Sequence, residues 1–132
     1  MYDDRENLST VQQNKAADIT LTIDFNQASS IIDFSPLDSV VIVSTSYRTD
    51  KIILKQLYKE KFRYIGMMGS DHKIEQLYNE LKNEGIHAQE LAHINAPIGI
   101  PIYTKTTMEI AVSIAGQIIL EQNKNLPTGR KY

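Results

Sequence analysis

The sequence predicts an α/β domain built on a mostly parallel sheet. Three features predict it. Val40-Val41-Ile42-Val43 is a continuous branched run bounded by polar residues, the pattern of a strand buried on both faces of a parallel sheet. Phe62-Arg63-Tyr64-Ile65 is a second β-prone run, and it passes through Gly66 and Gly69 straight into a helical pattern. Amphipathic helical periodicity fills the stretches after each run, so strands and helices alternate and right-handed crossovers are expected. The 132 residues suit one domain, 1–132, and a hydrophobic fraction of 42% is enough for a core.

In chain order, Met1 to Arg5 reads as the end of a strand, and residues 6–18 as a polar loop. Ile19, Leu21, Ile23 and Phe25 alternate with polar residues, which argues a strand with one buried face. Residues 26–33 suit a short helix, and Pro36 breaks the chain. After the Val40–Val43 strand, Ser44 to Thr49 forms a polar loop. Thr49 or Asp50 is placed to cap a helix reaching about Lys61, with Ile53, Leu54, Leu57 and Tyr58 as its apolar stripe. The next helix runs from Asp71 to about Glu84. Ser70 is its N-cap, Ile74, Leu77, Tyr78 and Leu81 its apolar positions, and Gly85 its C-terminal stop. Residues 86–105 read as mostly loop. Thr106-Thr107-Met108-Glu109 is a capping-box pattern that opens a last helix with a broad apolar face, Ile110, Ala111, Ile114, Ala115, Ile118 and Ile119. It ends near Asn123, and 125–132 reads as a flexible tail.

Composition narrows the function. The net charge is −2 and no basic patch or nucleic-acid motif occurs, so no pull toward nucleic acid or anionic membrane is expected. Without cysteine there are no disulfides, thiol nucleophiles or cysteine metal sites. The acidic opening, Asp3-Asp4-Arg5-Glu6, is no signal-peptide core, and no apolar run approaches a membrane span, so a cytoplasmic protein is expected. His72, His87 and His93 lack metal-ligand spacing, and Ser44, Ser46 and Ser70 lack a nucleophile elbow. No catalytic acid–base pair stands out.

The loop from Gly66 to Lys73 is the strongest candidate site. Gly66 and Gly69 permit a tight turn and close backbone approach, and the free amides of the helix after Ser70 suit a phosphate or carboxylate. Lys73, one turn in, adds a point charge. A plain strand-to-helix turn explains the same glycines equally well. Asn95, Pro97 and Gly99 form a second candidate loop, at the sheet edge where open α/β folds bind ligands.

Tyr64-Ile65-Gly66-x-x-Gly69-Ser70-x-x-Lys73, then Ala96-Pro97-Ile98-Gly99, then Glu109-Ile110-Ala111-Val112-Ser113-Ile114 resemble, in order and spacing, the carboxy-terminal domain of the XdhC/CoxI family. The resemblance implies a Rossmann-like, three-layer αβα fold with a mostly parallel sheet. It implies a maturation factor for molybdenum hydroxylases such as xanthine dehydrogenase, a chaperone and not a catalyst, which binds molybdenum cofactor (molybdopterin) and works with the target hydroxylase and a sulfur donor. Gly66, Gly69, Ser70, Lys73, Asn95, Pro97 and Gly99 would hold the cofactor, and Asp3 lies where a Rossmann acid meets a ribose. The family's opening strand and Gly-x-Gly-x-x-Gly-like turn are not in this chain, so the domain reads as amino-terminally truncated. Asp71-His72 stand where the family often has two arginines, and Ser44-Thr45-Ser46-Tyr47-Arg48 replaces a segment that often bears His and Asp. An NAD(P)-binding oxidoreductase-like domain and a non-binding oligomerisation remnant remain as alternatives. With the opening strand lacking, the edge of Val40–Val43 is expected to be covered, most simply in a homodimer, otherwise by a separate polypeptide or a changed strand order.

Overall fold

The computed structural model describes residues 1–124; the tail expected at 125–132 lies outside the described residues. Strand β1 (Tyr2–Asp3), a short helix α1 (Ser9–Gln12) and strand β2 (Leu21–Thr22) open the chain, and β1 and β2 pair in parallel. A 3-10 turn at Phe25–Gln27, capped by Asp24, leads into α2 (Ala28–Ile31). Then follow β3 (Ser39–Ile42), α3 (Tyr47–Leu57), β4 (Tyr64–Met67), α4 (Asp71–Asn83), α5 (Ala88–Leu91) and α6 (Thr107–Asn123).

Strands β3 and β4 form the second parallel pair, with Ser39 opposite Tyr64 and Ile42 opposite Met67. On the far side of β4, Asn95 adds a single parallel bridge to Gly66. The Asn95 amide donates to the Ile65 carbonyl at 2.9 Å, and the Met67 amide donates to the Asn95 carbonyl at 2.9 Å. Thus β4 is bonded on both edges and lies wholly buried.

Pleating divides the layers. Val40, Ile42, Ile65 and Met67 point toward α3 and α4, whose Ile53, Leu54, Leu57, Ile74, Leu77 and Leu81 complete the core. Tyr64 and Gly66 point the other way, toward α6, where the Tyr64 hydroxyl donates to Gln117 Oε1 at 2.7 Å. Burial pushes the Tyr64 hydroxyl up to about 12, so it stays a donor across the physiological range. Helices on both faces of parallel strands make the Rossmann-like αβα arrangement.

Helix α3 is tied to α4 by an ionic chain. Tyr47 donates to Glu80 at 2.7 Å, Lys51 reaches Glu80 at 2.8 Å and Glu84 at 2.6 Å, and Lys55 reaches Glu84 at 2.5 Å. Lys51 foremost, then Tyr47, hold the Glu80 carboxyl at about 2, below its ordinary 4.5. A depressed carboxyl stabilises the fold fully above its ordinary value, and that part is lost as pH falls through the folded value. Glu80→Gln is therefore expected to lower stability at neutral pH and to flatten its loss between 4.5 and about 2, the two proteins converging at the acid end. Denaturant midpoints measured across that range check this.

Five details differ from the sequence expectation. Val41 and Val43 are 39% and 56% exposed, so the Val40–Val43 strand is buried on one face only, because α6 lies mainly over β4 and touches β3 at Ser39, leaving the valines uncovered. Only Leu21–Thr22 of the 19–25 segment is strand, and Ile19 and Leu21 are exposed while Ile23 is buried, since a two-residue pair carries no layer over its outer face. Ser46 caps α3, accepting from the Thr49 amide, whereas the Asp50 carboxylate turns back to the Ser44 amide; the helix ends at Leu57. Residues 86–105 include α5 and the Asn95 bridge. In α6 only Ser113 is buried, and Val112, Ile119 and Leu120 are exposed, because the helix packs mainly on β4 and reaches β3 through the Gln122–Ser39 hydrogen bond. The Ser70 cap, the Gly85 stop (φ +91°) and the Thr106–Glu109 capping box form as the sequence predicts.

Candidate functional site

At the carboxyl edge of β3 and β4, the loops entering α3 and α4 face each other across a cavity of about 170 Å³. Residues 44–47 and Asp50 line one wall, and residues 67–69, Lys73, Ile74 and Leu77 line the other. Parallel strands place it there: each strand ends at this edge and the chain turns directly into a helix, so two helix starts converge. The Ser46 hydroxyl accepts from the Thr49 amide at 3.2 Å, and the Ser70 hydroxyl accepts from the Lys73 amide at 3.4 Å. Each helix start is thus partly capped by its own serine. Among the described residues, the amides of Tyr47 and Arg48 and of Asp71 and His72 have no protein acceptor.

Lys73 is the cation of the lining. Asp50 is its opposite: 6% exposed, with one carboxylate oxygen taken by the Ser44 amide at 2.8 Å. Among the described residues the other Asp50 oxygen has no protein partner, and Asp50 lines the cavity. The site can therefore bind an anionic group at Lys73 and an N–H or O–H donor at Asp50.

Two of the sequence candidates, Gly69 and Lys73, meet in this cavity, and Ser70 caps the helix behind them. A Cβ on Gly69 would lie 2.8 Å from the Ile74 Cδ1, so its lack of a side chain lets the loop close over the core. Gly66 lies inside β4 and not in the loop. A Cβ there would lie 2.7 Å from Ile98 and 2.6 Å from the Tyr64 hydroxyl, so packing against the 95–99 turn explains it.

Asn95, Pro97 and Gly99 sit on the other edge of β4 and do not line the cavity. The Asn95 side-chain amide donates to the Ile65 carbonyl at 3.1 Å, Pro97 is exposed, and the Gly99 amide donates to Gln117 Oε1 at 2.7 Å. With Ser113 donating to the Ile100 carbonyl at 2.7 Å, this turn fastens α6 to the sheet. Asp3 lies apart from both loops, its carboxyl held low by the Arg5 guanidinium at 2.8 Å. Ser46 and Asp50 were hidden in the sequence by competition among Ser44, Ser46, Thr49 and Asp50 for one cap; the polar triplet directly after a strand is the signal that marks the helix start.

Parallel strands with helices on both faces and paired helix starts at the carboxyl edge define a Rossmann-like domain. The chain belongs to the XdhC family: the XdhC Rossmann domain matches residues 1–118. It is 31% identical over 103 residues to one chain of a probable xanthine dehydrogenase of Bacillus subtilis, covering 78% of this chain and 29% of that one. It is 29% identical over 105 residues to the uncharacterized protein YqeB of Escherichia coli, covering 80% and 19%. A crystal structure of a xanthine dehydrogenase from Bacillus halodurans superimposes with a TM-score of 0.72 at 27% identity, over 98% of this chain and 37% of that one. The chain thus spans well under half the length of these relatives. Among the described residues, no helix is long and apolar enough to cross a membrane.

Proposed function

We propose that this domain is an accessory factor in the maturation of xanthine dehydrogenase-type molybdenum hydroxylases, and that its cavity grips the phosphate end of the pterin cofactor. The observation that carries the reading is the cavity itself. In a family linked by its relatives to xanthine dehydrogenase, two helix starts and Lys73 converge at the ligand-binding edge of the sheet. The volume sets a limit. Complete small-molecule sites occupy roughly 300–1,000 Å³, and 170 Å³ holds a group and not a whole cofactor. The remainder of the ligand would lie outside, against the target hydroxylase or the sulfur donor, as suits a carrier that hands its cargo on. A dinucleotide such as NAD(P) suits the same volume less well.

Lys73 supplies the charge, and the amide of Tyr47, whose residue lines the cavity, supplies a donor without a proton transfer. Asp50 accepts from a ligand N–H and orients it. None of these steps makes or breaks a covalent bond, so the role is binding and presentation.

Titration of the purified chain with molybdopterin, followed by pterin fluorescence, tests this. Lys73→Ala is expected to weaken binding by about 10- to 100-fold, the cost of one charge-assisted hydrogen bond. Gly69→Asp is expected to abolish it by placing a carboxylate in the mouth of the cavity. No binding by the wild type, or unchanged binding by Gly69→Asp, rejects the proposed site.

A further inference from the structure

An acid in the lining of an anion site calls for a reason, and Asp50 is one. It is 6% exposed. Its Oδ1 accepts from the Ser44 amide at 2.8 Å, and its Oδ2 has no protein partner among the described residues. A carboxylate so enclosed needs a donor for each oxygen. The neighbouring hydroxyls do not supply one. Ser44 donates to the Ser46 carbonyl at 2.9 Å, Ser46 and Thr49 share a hydrogen bond at 3.0 Å, and Tyr47 donates to Glu80 at 2.7 Å. Lys51, next along α3, is engaged by Glu80 and Glu84. The cavity thus offers an anion two donors, Lys73 and the Tyr47 amide, and confronts it with one group that can only accept.

Resting on the anion site proposed above, we infer that Asp50 is its specificity filter: the cavity admits an anionic group that brings a hydrogen to the Asp50 carboxylate and refuses one that brings none. A ligand N–H beside the phosphate meets this demand, and so does the phosphate's own P–O–H. With one negative charge, a phosphate monoester carries that hydrogen. A sulfate ester of the same shape and charge carries none, and neither does a phosphodiester. With the hydrogen in place, Asp50 Oδ2 and the phosphate oxygen make a charge-assisted bond, and Lys73 meets the remaining charge. Without it, two negative oxygens share a cavity of about 170 Å³ with nothing between them, the situation in which like charges cannot both persist. Among simple esters the ligand class is therefore a terminal phosphate monoester bound as its monoanion. The internal phosphates of a dinucleotide are excluded on the same ground. No covalent bond is made or broken, and the hydrogen remains between the two oxygens.

The probes are methyl phosphate, methyl sulfate and dimethyl phosphate, none with an N–H and each singly charged at about pH 5. They are titrated into the full chain and followed by the amide chemical shifts of Ser44 and Tyr47. Methyl phosphate is expected to bind about 10- to 100-fold tighter than either of the others, the worth of one hydrogen bond to a charged group. Its affinity should fall about tenfold per pH unit above about 6, where a phosphate monoester loses that hydrogen. The titratable residues of the lining are Tyr47 and Asp50 on α3 and Lys73 on α4; Arg48, Asp71 and His72 stand at the same helix starts outside it. Because histidine changes charge in this pH range, His72→Gln is the control and is expected to keep the profile. In Asp50→Asn the side-chain amide still accepts from Ser44 and turns a donor to the cavity, so the preference for methyl phosphate and its pH dependence should both vanish. The comparison of the three esters uses the wild type and decides the matter even if Asp50→Asn does not fold. Equal binding of all three overturns the filter and leaves the anion site standing, whereas binding of none overturns both. A profile lost in His72→Gln, or shifts confined to residues away from the cavity, also overturns the filter.

Discussion

Gly99→Ala is expected to destabilise the fold by about 3 kcal/mol, lowering Tm by about 10 °C. Gly99 holds φ +101°, a backbone region that side chains strain to adopt. An added Cβ would also collide with the Ser113 hydroxyl, which is buried and donates to the Ile100 carbonyl at 2.7 Å. Relief would require moving α6 away from the 95–99 turn, stretching the bonds by which Gln117 receives both Gly99 and Tyr64. The two causes separate in a double-mutant cycle. Ser113→Ala removes the colliding oxygen but not the backbone strain, so the double variant should be less destabilised than the sum of the singles. Additive effects would mean that the collision contributes nothing. Because the turn lies outside the cavity, molybdopterin affinity of the folded Gly99→Ala protein should match that of the wild type.

Leu54→Ala is expected to cost about 3–4 kcal/mol, the range for a buried leucine whose cavity cannot collapse. Leu54 is fully buried in the core between α3 and the sheet, and the ionic chain from Tyr47 to Lys55 fastens α3 to α4, so the helix cannot sink to fill the space. Urea unfolding should show a lower midpoint with an unchanged slope. Val41→Ala, in the same domain, should cost less than about 1 kcal/mol in the isolated chain, because the valine is already 39% exposed. A large loss at Val41 would show that this edge of β3 is covered in solution. A small loss at Leu54 would mean that the core repacks.

Local chemistry made much of the architecture legible. Ser70, Gly85 and the Thr106–Glu109 box bracket two helices because caps act over three or four residues and need nothing from the rest of the chain. The stripes of α3 and α4 were legible for the same reason: their period is set by the helix itself. The failures share a cause. Val41, Val43, Ile19 and Leu21 are as apolar as core residues, yet exposed, and no property of the residue says whether another layer covers it. Gly66 and Gly69 look alike in sequence, but one is a packing contact inside a strand and the other a cavity wall.

The order of residues by itself determined the α/β class, the helix boundaries with strong caps and the family, since these rest on short-range periodicity and on spacing along the chain. Only the tertiary structure decided that Lys73 and Asp50 share a cavity while Asn95, Pro97 and Gly99 lie at another edge of β4, where Gly99 fastens α6, and that β1 and β3 belong to separate pairs. Those outcomes depend on contacts between residues distant in sequence, whose free energies are set by what packs opposite and not by the identity of either partner alone.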